Sequence, residues 1–422
     1  MKKLNAELGK MGLVLFPMVL QPFLNFCFLL LVARRAPMEE YGGLALSIVL
    51  MSLIVGFADL GLRDYLLSKS AIRRGLSTGE NLLVPSGLGF LVLASLSVAY
   101  TQYLGDADIA LALLLCALPE AAAFGILQRC LFFHYQREDQ LVRFSTLDAF
   151  HKSAPFAIKL LVFWFTGELV LAVGCGALLA LLSYFCWFYL TCLRSGTFLS
   201  RELKPFRSLI AMLRLWRAWL PFTVSFFAFF LYFGSDRILV EALLGAESLA
   251  VYTAAYSFIA LGQIVVTAFW SLYMPRISRG DQVFSLRKFV TLAMALSLGM
   301  VAGYQVFARY LFDHFYPDGY AEGALILSVM SAFFIFRLVN VVFEMHWVAR
   351  DRYATFVRMR VGCGLVSVVL NVLCIPVYGL IAPALVVILC EALLCLFILG
   401  SEWRWRRTPP AIDAPGLIDK VL

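Results

Sequence analysis

Runs of about 20 apolar residues recur along this chain almost from end to end, parted by short polar breaks. A helix of that length crosses the hydrocarbon core of a bilayer, where an open backbone polar group is costly. Of 422 residues, 62% are hydrophobic and 15% charged, whereas soluble domains are about half apolar and a quarter charged. The chain therefore reads as an all-α integral membrane protein of about twelve transmembrane helices. The expected spans are 9–33, 41–64, 81–103, 107–133, 140–165, 168–193, 218–244, 248–274, 286–311, 320–348, 354–376 and 379–402. Lys2 and Lys3 precede a greasy run as in a signal peptide, but no small-residue cleavage site follows, so a retained first helix is expected. The ten cysteines form no CxxC pair and lie mostly inside spans. They read as small buried hydrophobes, and no metal or cofactor site emerges.

Basic residues set an orientation. Lys2, Lys69, Arg73, Arg143, Arg201, Arg276, Arg350, Arg358, Arg360 and Arg407 belong to one set of aqueous segments; the alternate set holds only Arg34, Arg35 and Arg309. The positive-inside rule then predicts a cytoplasmic linker and cytoplasmic termini. The net charge of +8 is met by the anionic leaflet and calls for no nucleic acid. Between Arg194 and Arg217, Leu199, Leu203, Phe206, Leu209, Leu213 and Trp216 share a helical face away from most of the basic residues, which predicts an interfacial amphipathic linker.

The chain repeats itself. At a displacement of 212 residues His134 falls on His346, Asp139 on Asp351, Phe144 on Phe356 and Gly167 on Gly379. Near the same displacement Tyr41 meets Tyr252 and Ser47 meets Ser257. An even number of spans in each copy predicts a parallel repeat about an axis along the membrane normal, with substrate between the copies. The expected organisation is a six-helix lobe over 1–193, the linker 194–217, a second lobe over 218–403 and a cytoplasmic tail 404–422.

Charges inside the spans fall into stripes. Ser145, Asp148, Lys152, Pro155 and Lys159 share one helical face, as do Ser52, Gly56, Asp59 and Arg63. Arg337, Asn340 and Glu344 form a third stripe, Arg237 and Glu241 a fourth, and Glu120 follows Pro119. Such faces avoid lipid. One reading is adhesive, through the i,i+4 pairs Asp59–Arg63, Asp148–Lys152 and Arg237–Glu241. The other is a wet cleft for an anion, held by Lys152, Lys159, Arg237 and Arg337. The second gains from an asymmetry: under the repeat Lys152 maps to Gly364, Lys159 to Asn371, Arg337 to Gly125 and Glu120 to Ala332, so these charges do not recur with the scaffold. Asp59, Arg63, Glu120, Asp148, Asp236 and Asn340 complete the expected polar lining. Prolines 17, 22, 119, 155, 221 and 383 are expected to kink their helices.

Glu40-Tyr41-Gly42 and Ala58-Asp59-Leu60-Gly61-Leu62, with Ser235-Asp236-Arg237-Ile238-Leu239, Leu244-Gly245 and Val251-Tyr252 through Tyr256, resemble the polysaccharide (Wzx-type) flippases. That family sits in a superfamily with multidrug and toxin extrusion carriers and the lipid II flippase. The resemblance implies two lobes that alternate between inward- and outward-open states. It also implies movement of an undecaprenyl-diphosphate-linked oligosaccharide to the periplasmic leaflet of a bacterial inner membrane, alongside polysaccharide assembly proteins. No catalytic constellation comes with it. Phe229, Tyr232 and Tyr256 are candidates to stack on sugars, and Asp59, Glu120 or Asp236 to carry a coupling proton or sodium ion. Two alternatives stay open. A cation-coupled multidrug exporter predicts an acid-rich cleft, and a membrane polymerase or glycosyltransferase predicts a larger aqueous loop than the one near Asp313 to Glu322.

Overall fold

The computed structural model describes residues 2–58, 62, 66, 79–103, 108–138, 140–194, 209–210, 213–214, 216–278, 286–348 and 353–407. Asp59, Arg63 and most of the expected linker lie outside them, as do the side chains of residues 2–18, Phe229, Tyr232 and 404–422.

Among the described residues twelve helices follow one another: α1 Lys2–Arg35, α2 Met38–Phe57, α3 Glu80–Tyr103 and α4 Asp108–Arg137, then α5 Leu141–Thr166 and α6 Leu169–Leu193. The second series is α7, Trp216–Phe233 and Ser235–Leu244 joined at Gly234, then α8 Ala246–Ser278 and α9 Leu286–Phe315. It ends with α10, Glu322–Ser331 and Phe333–Val348, α11 Tyr353–Tyr378 and α12 Ile381–Arg407. No strand forms among the described residues, where nine helices are long and apolar enough to cross a membrane. Outside those nine, α5 carries Asp148, Lys152 and Lys159, and α7 carries Asp236, Arg237 and Glu241.

The packing repeats as the sequence does. In the first six helices α1 lies on α5, α2 and α3 on α4, α4 on α6, and α5 on α6. In the second six α7 lies on α11, α8 and α9 on α10, α10 on α12, and α11 on α12. The turns agree as well. Gly167 ends α5 and Gly379 ends α11, each left-handed at φ 73° and 62°. Their N–H groups donate to Phe163 and Ile375, both at 2.9 Å. Glycine adopts that conformation without the penalty a Cβ brings and so serves as a helix stop.

The two lobes meet closely at the end that carries the α1–α2, α7–α8 and α9–α10 turns. A Cβ on Gly42 of α2 would stand 2.0 Å from the Ala246 carbonyl oxygen of α8. Arg34 donates through Nε to the Phe315 carbonyl at 2.7 Å and through Nη2 to that of His314. Tyr41 meets Tyr320 edge to face, centroids 5.9 Å apart, and Ser257 shares a 3.3 Å hydrogen bond with Tyr316. Tyr41 and Tyr252, paired by the repeat, are both fully buried. Farther along, Tyr100 of α3 donates to Glu241 of α7 at 2.8 Å, in place of the expected Arg237–Glu241 pair.

Candidate functional site: a charged cleft between the lobes

Two neighbouring cavities, taken together as the cleft, share Ala260, Gln263 and Thr267 of α8 in their linings. The smaller, 330 Å³, lies against α1 and α5 and is lined by Gln21, Ser145, Asp148 and Lys152. The larger, 510 Å³, is lined, among the described residues, by those of the second lobe alone, including Arg337 and Glu344 of α10, Arg360 of α11 and the rings of Phe233, Tyr256 and Trp270. Seventeen residues of α8 separate Ala246 from Gln263. The cavity lining on this helix starts earlier, at Tyr256; at 1.5 Å per residue the cleft begins about 15 Å from the close contact of the lobes, and Gln263 lies about 25 Å from it.

Its charges have partners, most of them on other helices. Lys152 meets Asp148 at 3.0 Å along α5, the i,i+4 pair read from the sequence, and Tyr184 of α6 donates to the same carboxylate at 2.7 Å. Arg337 comes within 3.6 Å of Glu391 on α12, which is fully buried and accepts from Asn340. The Nε and Nη1 groups of Arg337 have no hydrogen-bond partner. Arg360 donates from Nη2 to Glu344 at 3.0 Å and lies over the Phe356 ring at 4.4 Å. A buried pair of this kind resists removal of one member, because the other charge is left uncompensated.

Lys159 and Glu120 sit elsewhere. They form a buried ion pair in a third cavity of 240 Å³ inside the first lobe, with Asn25, Ser47 and Ser52 nearby. Gly176 of α6 makes the pair possible: a Cβ there would come within 2.4 Å of Lys159 Cγ. One turn past Pro119, α4 widens into a π turn at Ala123–Leu127, shifting the face beyond Glu120.

Asp236 and Arg237 lie in the wall. Buried Asp236 accepts from the Arg237 backbone N–H at 2.9 Å and from the Tyr252 hydroxyl at 2.7 Å, which joins the second segment of α7 to α8. The Arg237 guanidinium lies 4.2 Å from the centre of the Tyr256 ring, and that ring faces the larger cavity. Such a contact contributes about 2 kcal/mol when desolvated.

Of the four expected anion-binding cations, Lys152 lines the smaller cavity and Arg337 the larger, Arg237 packs on Tyr256, and Lys159 lies in the third cavity, which shares Gln21 with the smaller. Among the remaining candidates, Asp148 lines the cleft and Asn340 holds Glu391. Arg360 corrects the sequence reading. Counted with the cytoplasmic basic residues, it is only 6% exposed and lines the cavity. Gln21, Gln263, Thr267 and Trp270 carried no sequence signal, since a neutral side chain inside a span looks like packing.

The described helices thus make a bundle of two matching halves lined by charged cavities. The chain belongs to the family of polysaccharide biosynthesis proteins, whose sequence profile matches residues 11–281. No curated protein gives a significant match. Solved structures of transporters share the fold. The lipid II flippase MurJ in an inward closed conformation superposes with a TM-score of 0.67 at 14% identity, covering 94% of this chain and 86% of that one. An inward-facing multidrug resistance transporter of the MATE family and MOP superfamily gives 0.64 at 13% identity, covering 94% and 99%. A MOP superfamily transporter from Pyrococcus furiosus, described as having a binding pocket of reverse polarity, gives 0.59 at 12%, covering 94% and 95%.

Proposed function

We propose that this protein is a flippase that carries an undecaprenyl-diphosphate-linked oligosaccharide, such as an O-antigen or lipopolysaccharide repeat unit, across the bacterial inner membrane. Transport runs from the cytoplasmic to the periplasmic leaflet by alternating access, with both termini cytoplasmic. The observation that carries the reading is the larger cavity, where two guanidiniums, Arg337 and Arg360, share one space with the rings of Phe233, Tyr256 and Trp270. Guanidiniums match phosphate oxygens in geometry and charge. Aromatic faces and the amides and hydroxyls of Gln21, Gln263 and Thr267 suit the sugars. The lipid tail stays in the bilayer, and polysaccharide assembly proteins receive the product.

The multidrug-exporter alternative needs carboxylates free to take a cation. Asp148 and Glu344 instead each hold a basic side chain at 3.0 Å, which favours the anionic cargo. The test is leaflet-specific labelling of the lipid-linked sugar in cells lacking the protein. Single units trapped in the cytoplasmic leaflet, released by the wild-type gene but not by Arg337→Gln, are the expected result. Single units in the outer leaflet of the deletion strain would overturn the reading and point to polymerisation.

A further inference from the structure

The larger cavity holds its own anion. Arg337 and Arg360 each meet a carboxylate, Glu391 and Glu344 respectively. The carboxylates differ in placement. Glu391 is fully buried outside the lining and is held by Asn340, which donates to its main-chain oxygen at 3.0 Å and to its carboxylate. Glu344 lines the cavity itself, its side chain 11% exposed, and binds Nη2 of Arg360. Arg360 is steadied by the Phe356 ring, so its position does not depend on Glu344 alone.

From this arrangement we infer that Glu344 is an internal counter-anion, a built-in stand-in for the cargo phosphate that is displaced from Arg360 when a diphosphate enters. The inference rests on the flippase reading above and adds a residue with a defined role. A guanidinium offers five N–H donors, more than one carboxylate oxygen engages. Arg337 lines the same cavity; its buried Nε and Nη1 groups make no hydrogen bond, and Nη1 has only the longer 3.6 Å contact with Glu391. A diphosphate bridging the two arginines satisfies both and leaves Glu344 as the group that must turn away. Competition of this kind keeps affinity moderate. A buried guanidinium pair without a rival would hold a diphosphate too firmly to release it, and a carrier must let go. Glu344 thereby sets the balance between capture and release.

The test uses the full-length protein in detergent micelles and geranylgeranyl diphosphate as the probe, with binding measured by calorimetry. Wild type is expected to bind the diphosphate. Glu344→Gln should bind about tenfold more tightly, equivalent to about 1.4 kcal/mol, while delivering less sugar-lipid to the outer leaflet. The double variant Glu344→Gln/Arg360→Gln should bind more weakly than wild type, since the tightening works through Arg360. Glu344→Asp, which keeps the charge on a shorter arm, guards against misfolding of the glutamine variant and should retain an affinity within a fewfold of wild type. Binding by wild type with no tightening in a monodisperse Glu344→Gln protein overturns the counter-anion role alone. Tightening that persists in the double variant overturns it too. Absence of diphosphate binding in wild type removes the flippase reading and this inference together.

Discussion

Lys152 and Lys159 stand two turns apart on one face of α5, yet their surroundings give them different weights. Lys152 is 29% exposed and pairs along its own helix with Asp148, a setting worth about 0.3–0.5 kcal/mol. Lys159 and Glu120 are 8% and 2% exposed and pair across helices, so losing either partner should cost about 3–5 kcal/mol. Thermal unfolding in detergent should show Lys159→Ala clearly destabilised and Lys152→Ala near wild type; equal midpoints would refute the distinction. Gly176 gives a second check. Its added methyl would press on the Lys159 stem, whereas one on Gly174 meets nothing within 4 Å. Gly176→Ala should lose about 1–3 kcal/mol by overpacking, and Gly174→Ala should lose much less. The Asp148–Lys152 pair was legible because i,i+4 spacing is written along one helix. Lys159–Glu120 and Arg337–Glu391 were not legible, since each partner comes from another helix. Only tertiary packing brings them together.

At the scale of elements, the repeat proved the most readable part of the chain. Positions matched near a 212-residue displacement became matched structure: Gly167 and Gly379 close equivalent helices, and Phe144 and Phe356 are both buried. Polar and turn residues preserve such a pattern because backbone geometry dictates them, while a lipid-facing leucine can be exchanged freely. Alanine at Gly167 or Gly379 should cost about 1–3 kcal/mol through the left-handed backbone it must adopt. No neighbouring atom would meet the new methyl at either site, so the two losses should be similar. Losses that differ by several kcal/mol in chemical unfolding would contradict that equivalence. Asp236 illustrates a limit of reading elements from motifs. Its carboxylate fastens α7 to α8 through the Tyr252 hydroxyl, a task that burial and partners reveal and sequence position does not. Arg360 misled for a related reason: it lies in the second turn of α11, close enough to a basic segment to be counted with it, but turned into the cleft.

At the scale of the molecule, two alike scaffolds enclose unlike linings. The first-lobe side of the cleft presents Asp148 with Lys152 beside neutral polar groups, and the second-lobe side presents Arg337 and Arg360 beside rings. A cargo with a charged head and a sugar chain would therefore be held in one orientation. Arg337→Gln should abolish delivery of the lipid-linked sugar to the outer leaflet with insertion intact, while Lys152→Gln should reduce it only partly. Equal loss in the labelling assay would place the phosphate on the other wall.

The backbone approach at Gly42 has a mechanical corollary. With a bare Cα pressed against the Ala246 carbonyl, sliding there would drive backbone into backbone, so a relative motion of the halves would have to be a tilt about that point. Gln263 lies about 25 Å down the lever arm from that fulcrum, so a tilt of about 10° there would widen the far mouth by roughly 4 Å. Gly42→Ala, by wedging the fulcrum, should expose an engineered cysteine at Ser257 to aqueous thiol reagents; continued protection would mean the pivot lies elsewhere.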